Sequence, residues 1–461
     1  MSLGISGSIA KAFIKSPLTP LLLLASLMVG MIALGALPRE EEPQISVPMV
    51  DIMIEANGLR AEDAAELVTK PLEDIVKGVD EVEHVYSQTF DDRVIVTARF
   101  DVGTSEDAAI LRVHEQVRAH LADVPYGIRE PMIVGRGIND VAVVVLTLAP
   151  KPGKADRWDD NALFNLAEEL QHELVKVDDI GLTYIVGGRR DQIRVEPDPE
   201  ALALYGVTLN QLVDKVENAN RSFMVGAVAE AGRHLPVVGG QSLKGPEIGN
   251  LLLITRDGRP VYVKDVARVV VGGASPEYRA WNMVRGADGQ LERSPAVSLA
   301  IAKRAGANAV TVSEEILGRL DHVKGSLIPA DVDVTVTRNY GETASDKADE
   351  LLFHLALATV SIVALITWML GWREGVVVAL VVPTTILLTL FASWLMGYTI
   401  NRVSLFALIF SIGILVDDAI VVVENIHRHR MLTPHESLKV LIPRAVDEVG
   451  GPTILATFTV I

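Results

Sequence analysis

Ile412-Gly413-Ile414-Leu415-Val416-Asp417-Asp418-Ala419-Ile420-Val421-Val422-Val423-Glu424-Asn425 sets two adjacent carboxylates inside an apolar stretch. The stretch belongs to a longer run, Val403 to Val423, whose only charges are Asp417 and Asp418. Roughly 20 apolar residues, each rising about 1.5 Å, span the hydrocarbon core of a bilayer, so the run reads as a membrane helix. A carboxylate inside such a helix costs about 3 kcal/mol on insertion scales. Two like charges side by side repel, which favours protonating at least one. The pair is therefore suited to taking up and releasing protons. Adjacent helical positions lie about 100° apart, so the two carboxyls face different neighbours. Gly413, one turn before Asp417, and Ser411 nearby are small enough to let another helix approach closely. A structural ion pair is the alternative reading.

Three further apolar runs surround this one. Leu18 to Leu37 is uncharged, Leu351 to Gly371 is interrupted only by His354, and Gly375 to Met396 is again uncharged. No Lys or Arg lies inside any of the four, so a counter-charge for the aspartates is missing from the chain. Buried helices of a soluble protein seldom stay uncharged on every face for this long. The first run, with Lys11 and Lys15 ahead of it, exceeds the 7–15 apolar residues of a signal-peptide core and reads as an uncleaved anchor. Lys11 and Lys15 set the N-terminus inside, because short cytoplasmic segments collect basic residues. Parity then puts Pro38 onward outside, Trp372 and Arg373 inside, Gly397 outside, and the basic Arg428, Arg430, Lys439 and Arg444 inside. Pro452 to Ile461 reads as a fifth span cut short.

Residues 38–350 thus form one large external region. Residues 1–37 and 351–461 hold 7 acidic and 8 basic side chains, leaving 52 of the 59 acidic and 34 of the 42 basic groups outside. The net charge of −17 is therefore a property of the external region, where ordinary solubility accounts for it as well as attraction of cations does. The acidic balance argues against nucleic-acid binding. With no cysteine in 461 residues, disulfides, thiolate zinc sites and thiol nucleophiles are excluded.

Periodicity divides the external region into two similar halves. Strands are expected at Ser46–Ile54, Val82–Thr89, Val94–Phe100 and Pro131–Gly135, with helices at Ala61–Lys77 and Ser105–Leu121. That order needs its last strand to complete a split βαβ unit. A second copy uses Val141–Leu148, Ala162–Val175, Leu182–Val186, Ala296–Ala302, Asn308–Val323 and Val332–Thr337. Phe100-Asp-Val-Gly-Thr-Ser105 leads into a helix in the first copy, and Lys303-Arg-Ala-Gly-Ala-Asn308 does so in the second. In both, a glycine lets the chain turn and a small polar residue can cap the helix. Roughly residues 190–275 are an insert in the second copy, with a helix at Leu209–Ala219, a strand at Pro260–Val263 and an exposed loop or arm.

The Gly413–Asn425 stretch, set in this topology, resembles the fourth transmembrane helix of resistance-nodulation-division (RND) efflux permeases of the hydrophobe/amphiphile, multidrug type, and the likeness extends over nearly the whole chain. It implies an α-helical transmembrane bundle plus an α+β periplasmic region of ferredoxin-like porter subdomains with an inserted docking subdomain. On that pattern residues 1–37 are a cytoplasmic segment and the first span, and 38–137 the first porter subdomain. The second porter subdomain is 138–190 with 275–340, the docking subdomain 191–274, and the remaining helices 341–461. Asp417 and Asp418 match the family's proton-relay aspartates. The resemblance implies a secondary active transporter rather than an enzyme, in the bacterial inner membrane, exporting small amphiphilic substrates by proton antiport as a homotrimer. A periplasmic adaptor protein and an outer-membrane channel are the implied partners beside the lipid bilayer, with no nucleic acid. Relatives carry about twelve spans and an intramembrane lysine in a second half, so the chain is expected to be the N-terminal half. Assisted lipid or protein export and heavy-metal efflux are the alternatives. The metal-exporting branch usually has a single acid here, and Met49, Met53, Met132, Met224 and Met283 are scattered rather than clustered.

Other motifs carry little. No GxxxxGK[ST] loop occurs, so direct ATP drive is not expected, nor is any cofactor or resident metal. Gly135-Arg-Gly137 lacks the third glycine of a dinucleotide loop. His427 and His429 beside Arg428 and Arg430 read as a basic cytoplasmic anchor rather than a metal site. Pro383 is expected to kink its span near Thr384 and Thr385. Asn220-Arg-Ser222 fits a glycosylation pattern. Tyr184 is a loose candidate for substrate contact between subdomains.

Overall fold

The structure, a computed structural model, describes residues 3–43, 47–120, 130–137, 140–219, 221, 223–230, 233–240, 243–256, 258–275, 278–285 and 290–460. Ser46, Leu121, Asn220, Ser222 and Ile461 lie outside them.

Alternation of apolar and polar side chains builds the first sheet. Strands β1 (Met49–Glu55), β2 (Val82–Phe90), β3 (Arg93–Phe100) and β4 (Met132–Arg136) assemble antiparallel in the order β2-β3-β1-β4. Val50, Ile52 and Ile54 of β1 and Val94, Val96 and Ala98 of β3 point to one side, where they are buried. Two helical segments cover that side. One joins Ala61–Ala64, a π turn at Ala65–Thr69 and Lys70–Lys77; the other is Glu106–Ala119, capped by Ser105, whose Oγ accepts from the Ala108 amide at 3.2 Å.

The second sheet repeats this plan. Strands β5 (Ala142–Pro150) and β6 (Ile180–Val186) flank the helix Asp160–Leu174, and the insert follows with β7 (Asp191–Pro197) through β12 (Ala267–Gly273). Then β13 (Ala280–Arg285), the long β14 (Leu291–Lys303), the helix Ala309–Val323 and β15 (Val332–Asn339) complete the unit. β14 pairs with β6 and β13 along one edge and with β5 along the other, and β15 pairs with β5. The resulting order β6-β14-β5-β15 is that of the first sheet, strand for strand. The turns before the second helix of each unit correspond as well. Gly103 and Gly306 have φ of +97° and +78°, a region that Gly enters without steric cost. Asn308 caps its helix as Ser105 does, accepting from the Val310 amide at 3.0 Å.

The insert has a small core of its own around Leu202, Leu212, Val261, Val263 and Val266. β7 closes on β12; β10 (Leu252–Arg256) pairs with β11 (Arg259–Tyr262); β8 (Phe223–Glu230) and β9 (Arg233–Gly239) form a hairpin whose Met224, Val228, Leu235 and Val238 are exposed. The strand expected at Pro260–Val263 ends at Tyr262, because Val263 opens a short helix bonded to the Tyr262 amide through Asp265. β13 pairs with β14 of the second sheet.

Three helices among the described residues are long and apolar enough to cross a membrane: Leu18–Ala36, Tyr340–Met369 and Trp372–Leu395. The second begins eleven residues before its apolar run, with the Asn339 cap, so that its polar first turns rise out of β15. Glycines bring these helices together: Gly30 lies against Leu387, and Gly375 against Thr367. The third runs through Pro383 as one element. Thr384 and Thr385 donate to the carbonyls of Leu380 and Val381, beside the Ala379 carbonyl that proline leaves without an amide. The helix Arg402–Leu432 is apolar over Arg402–Ser411 and continues through the aspartates nine residues past Val423. The apolar run at Pro452 is the end of a longer helix, Leu438–Val460, which passes through Pro443 and Pro452. The basic Arg428, Arg430, Lys439 and Arg444 thus sit on two helices. A short N-terminal helix, Ile5–Phe13, lies on the second of these, where Gly7 approaches the Pro443 carbonyl and Gly450 approaches Ser6.

Candidate functional site

The aspartate helix owes its start to a reciprocal cap. Asn401 Oδ1 accepts from the Ser404 amide at 2.9 Å, and Ser404 Oγ accepts from the Asn401 amide at 2.9 Å. From there the chain runs without a break to Asp417 and Asp418. The two side chains diverge as adjacent helical positions require. Asp417 is exposed, whereas Asp418 is half-buried and its Oδ2 accepts from Thr457 Oγ1 at 2.9 Å. The same hydroxyl lies 3.0 Å from the Thr453 carbonyl, so its single proton is shared between its own helix and the carboxylate. Among the described residues no cation forms an ion pair with either aspartate.

Gly413 does not receive the helix expected there: a Cβ at this position would meet nothing within 4 Å. Ser411 is satisfied by its own helix, donating to the Ala407 carbonyl at 2.7 Å. The small-residue side of the helix and Asp417 therefore face away from the packing in this chain.

Asn425 lies two turns beyond Asp418 on the same side. It is buried and donates to the Ala445 carbonyl at 2.8 Å and to Glu448 Oε2 at 3.4 Å. Arg428 Nε donates to Asn425 Oδ1 at 3.0 Å; Arg428 and His429 both reach Glu448, each at 2.6 Å. These bonds from His429, Arg428 and Asn425 lower the Glu448 carboxyl from its ordinary range to about 2. His427 Nδ1 lies 2.9 Å from Glu374 Oε1 at the start of the neighbouring helix. The histidines thus belong to an ion-pair cluster at the end of the helix, outside the apolar run.

Sequence reasoning named both aspartates but neither Thr457 nor Glu448. Thr457 is one of three threonines in the apolar stretch Pro452–Ile461, with Thr453 and Thr459, so nothing in the sequence singles it out. Glu448 carries no signal either, since its partners lie about twenty residues back on another helix. Tyr184 lines a cleft of about 940 Å³ between the two sheets with Met49, Met132, Leu182, Arg136 and Arg190.

A bundle of apolar helices, one bearing paired carboxylates, joined to a large α/β region of two sheets with one strand order defines a membrane protein of the RND permease class. A model of the AcrB/AcrD/AcrF family matches residues 9–461, and the chain belongs to that family. It is similar to the multidrug resistance protein MdtC of Yersinia enterocolitica, 27% identical over 443 residues, which cover 95% of this chain and 42% of that protein. MdtC of Yersinia pestis bv. Antiqua is 28% identical and that of Yersinia pseudotuberculosis 27%, over the same shares. The chain spans about two fifths of the length of these relatives.

Proposed function

We propose that this chain supplies the proton-bearing helix and the first external region of an inner-membrane pump that exports hydrophobic or amphiphilic compounds by proton antiport. Asp417 and Asp418 take up and release the proton. The single observation that carries this reading is the pair's setting: Asp418 hydrogen-bonded to Thr457, and Asp417 turned outward with no cation among the described residues. A carboxylate held in an apolar helix in this way is costly unless it is used. Its exposed side, with Gly413, is suited to packing on further helices of the complete pump that would bring a counter-charge.

In the same reading, residues 38–137 form one periplasmic porter subdomain, 138–190 with 275–340 the other, and 191–274 a docking subdomain. The pump works as a homotrimer with a periplasmic adaptor and an outer-membrane channel. The apolar and tyrosine-bearing cleft between the two sheets is the candidate path for substrate. The names of the MdtC relatives support multidrug export. The test is Asp417→Asn and Asp418→Asn in the full-length pump, expressed in cells lacking other pumps. Loss of drug resistance at unchanged protein level is expected for each; resistance retained in both overturns the reading.

A further inference from the structure

Three segments far apart in sequence meet at Glu40. The first follows the helix Leu18–Ala36: the Ile400 amide donates to the Pro38 carbonyl, and the Glu40 amide to the Ile400 carbonyl, each at 2.9 Å. The second is the end of β14, where Lys303 Nζ donates to Glu40 Oε1 at 2.7 Å. The third is the turn before the aspartate helix, where Thr399 Oγ1 donates to Glu40 Oε2 at 3.1 Å. Thr399 in turn accepts from Asn401 Nδ2 at 3.1 Å, and Asn401 is the cap of that helix. The side chains of Glu40 and Lys303 are 2% and 10% exposed, the most deeply buried ion pair among the described residues. Beside them the Arg39 amide donates to Asn308 Oδ1 at 3.4 Å, so the same segment also touches the cap of the helix Ala309–Val323.

A buried ion pair is a weak device for stability, since well-packed apolar residues of similar volume do as well. What it does enforce is position. If the Thr399–Asn401 turn shifts without β14, one of the two charges is left buried and unpaired, which is strongly unfavourable. The turn, the Glu40 segment and β14 are therefore tied to move together.

We propose that Glu40 and Lys303 are positioning residues that carry displacement of the aspartate helix into the second external sheet, so that proton uptake and substrate movement stay coupled. This rests on the proton-antiport reading above. The test uses the full-length pump reconstituted in vesicles, with a fluorescent amphiphilic cation as the exported probe and a trapped pH dye reporting proton entry. Glu40→Gln and Lys303→Met are each expected to raise the number of protons entering per exported probe at least fivefold. The charge-reversed double variant, Glu40→Lys with Lys303→Glu, is expected to bring the ratio back toward the parent value. A ratio equal to the parent's in both single variants overturns the proposal, because a purely structural pair lowers both fluxes in parallel with the amount of folded pump. If the single variants do not accumulate, Glu40→Asp keeps the charge but shortens its reach to Lys303; a raised ratio supports the proposal and an unchanged one overturns it. Asp418→Asn separates the two readings: if it leaves both fluxes intact, the proton-relay assignment fails whatever Glu40 does.

Discussion

Asp447 accepts the backbone amides of Gly4 and Gly7 at 2.9 and 3.0 Å, so the N-terminal helix is capped by a carboxylate from the other end of the chain. A negative charge at a helix N-terminus meets orphan amides and the positive end of the helix dipole. Losing such a cap costs about 0.5–2 kcal/mol. Asp447→Ala should therefore raise amide exchange in residues 5–13 by roughly tenfold, the change that about 1.4 kcal/mol corresponds to. Exchange elsewhere in the bundle should stay as it was. Unchanged protection of the helix would show that Gly7 packing on Pro443 holds it without the carboxylate.

Thr457 offers a milder handle on the aspartates than removing them. Thr457→Val keeps the shape of the side chain and deletes the donor to Asp418. A hydrogen bond to a charged group contributes about 1.5–3 kcal/mol. Export in a susceptibility assay should fall severalfold in the valine variant and persist in Thr457→Ser. Equal resistance in all three would mean that the bond to Asp418 plays no part in transport.

The Glu448 cluster gives a pH signature. Its carboxyl is held at about 2, below an ordinary value of 4.5, by His429, Arg428 and Asn425. A carboxylate lowered on folding lends stability that is complete above its unfolded value and is lost as pH falls through its folded value. In detergent, protection of residues 425–432 should thus fall as pH drops from about 4.5 to about 2. Glu448→Gln should be less protected at pH 7 and flat across that window; a variant that still follows the wild-type slope would assign the titration to another group.

Leu299 is fully buried at the centre of the second sheet, between β5 and β6. Leu299→Ala should destabilise this unit by about 2–5 kcal/mol, read as a lower unfolding midpoint in urea. The first unit, whose core is separate, should keep its own transition.

Much of this architecture is legible in the residues because it is local. Period-2 alternation marks β1, β3, β5 and β14, and the glycine-then-cap pattern at Gly103–Ser105 and Gly306–Asn308 marks the repeat. Helix ends are less legible where polarity and helicity part company: Tyr340–Leu351 is helical but polar, and Leu438–Gly451 is helical though it carries charges and a proline ahead of the apolar run. The bonds Glu40–Lys303, Asp418–Thr457 and Gly4–Asp447 have no local signal at all. Each joins residues between 39 and 443 positions apart, and only the packed helices and sheets bring them within reach. Both aspartates could be named from composition alone, since a charge in an apolar run stands out; what each one touches could not.

The insert between β6 and β14 separates the two sheets in time as well as in sequence. β1 to β4 lie within residues 49–136, so the first sheet can close as soon as that stretch has been synthesised. The second cannot. β14 is its central strand, and β6 must wait about a hundred residues for it, past the whole of the insert, before their ladder can form. Pairings over such separations fold slowly and leave apolar edges uncovered in the interval. Two units with one strand order thus differ in how long each stays vulnerable during synthesis, and it is β5 and β6, whose ladders all run to β14 or β15, that are left waiting.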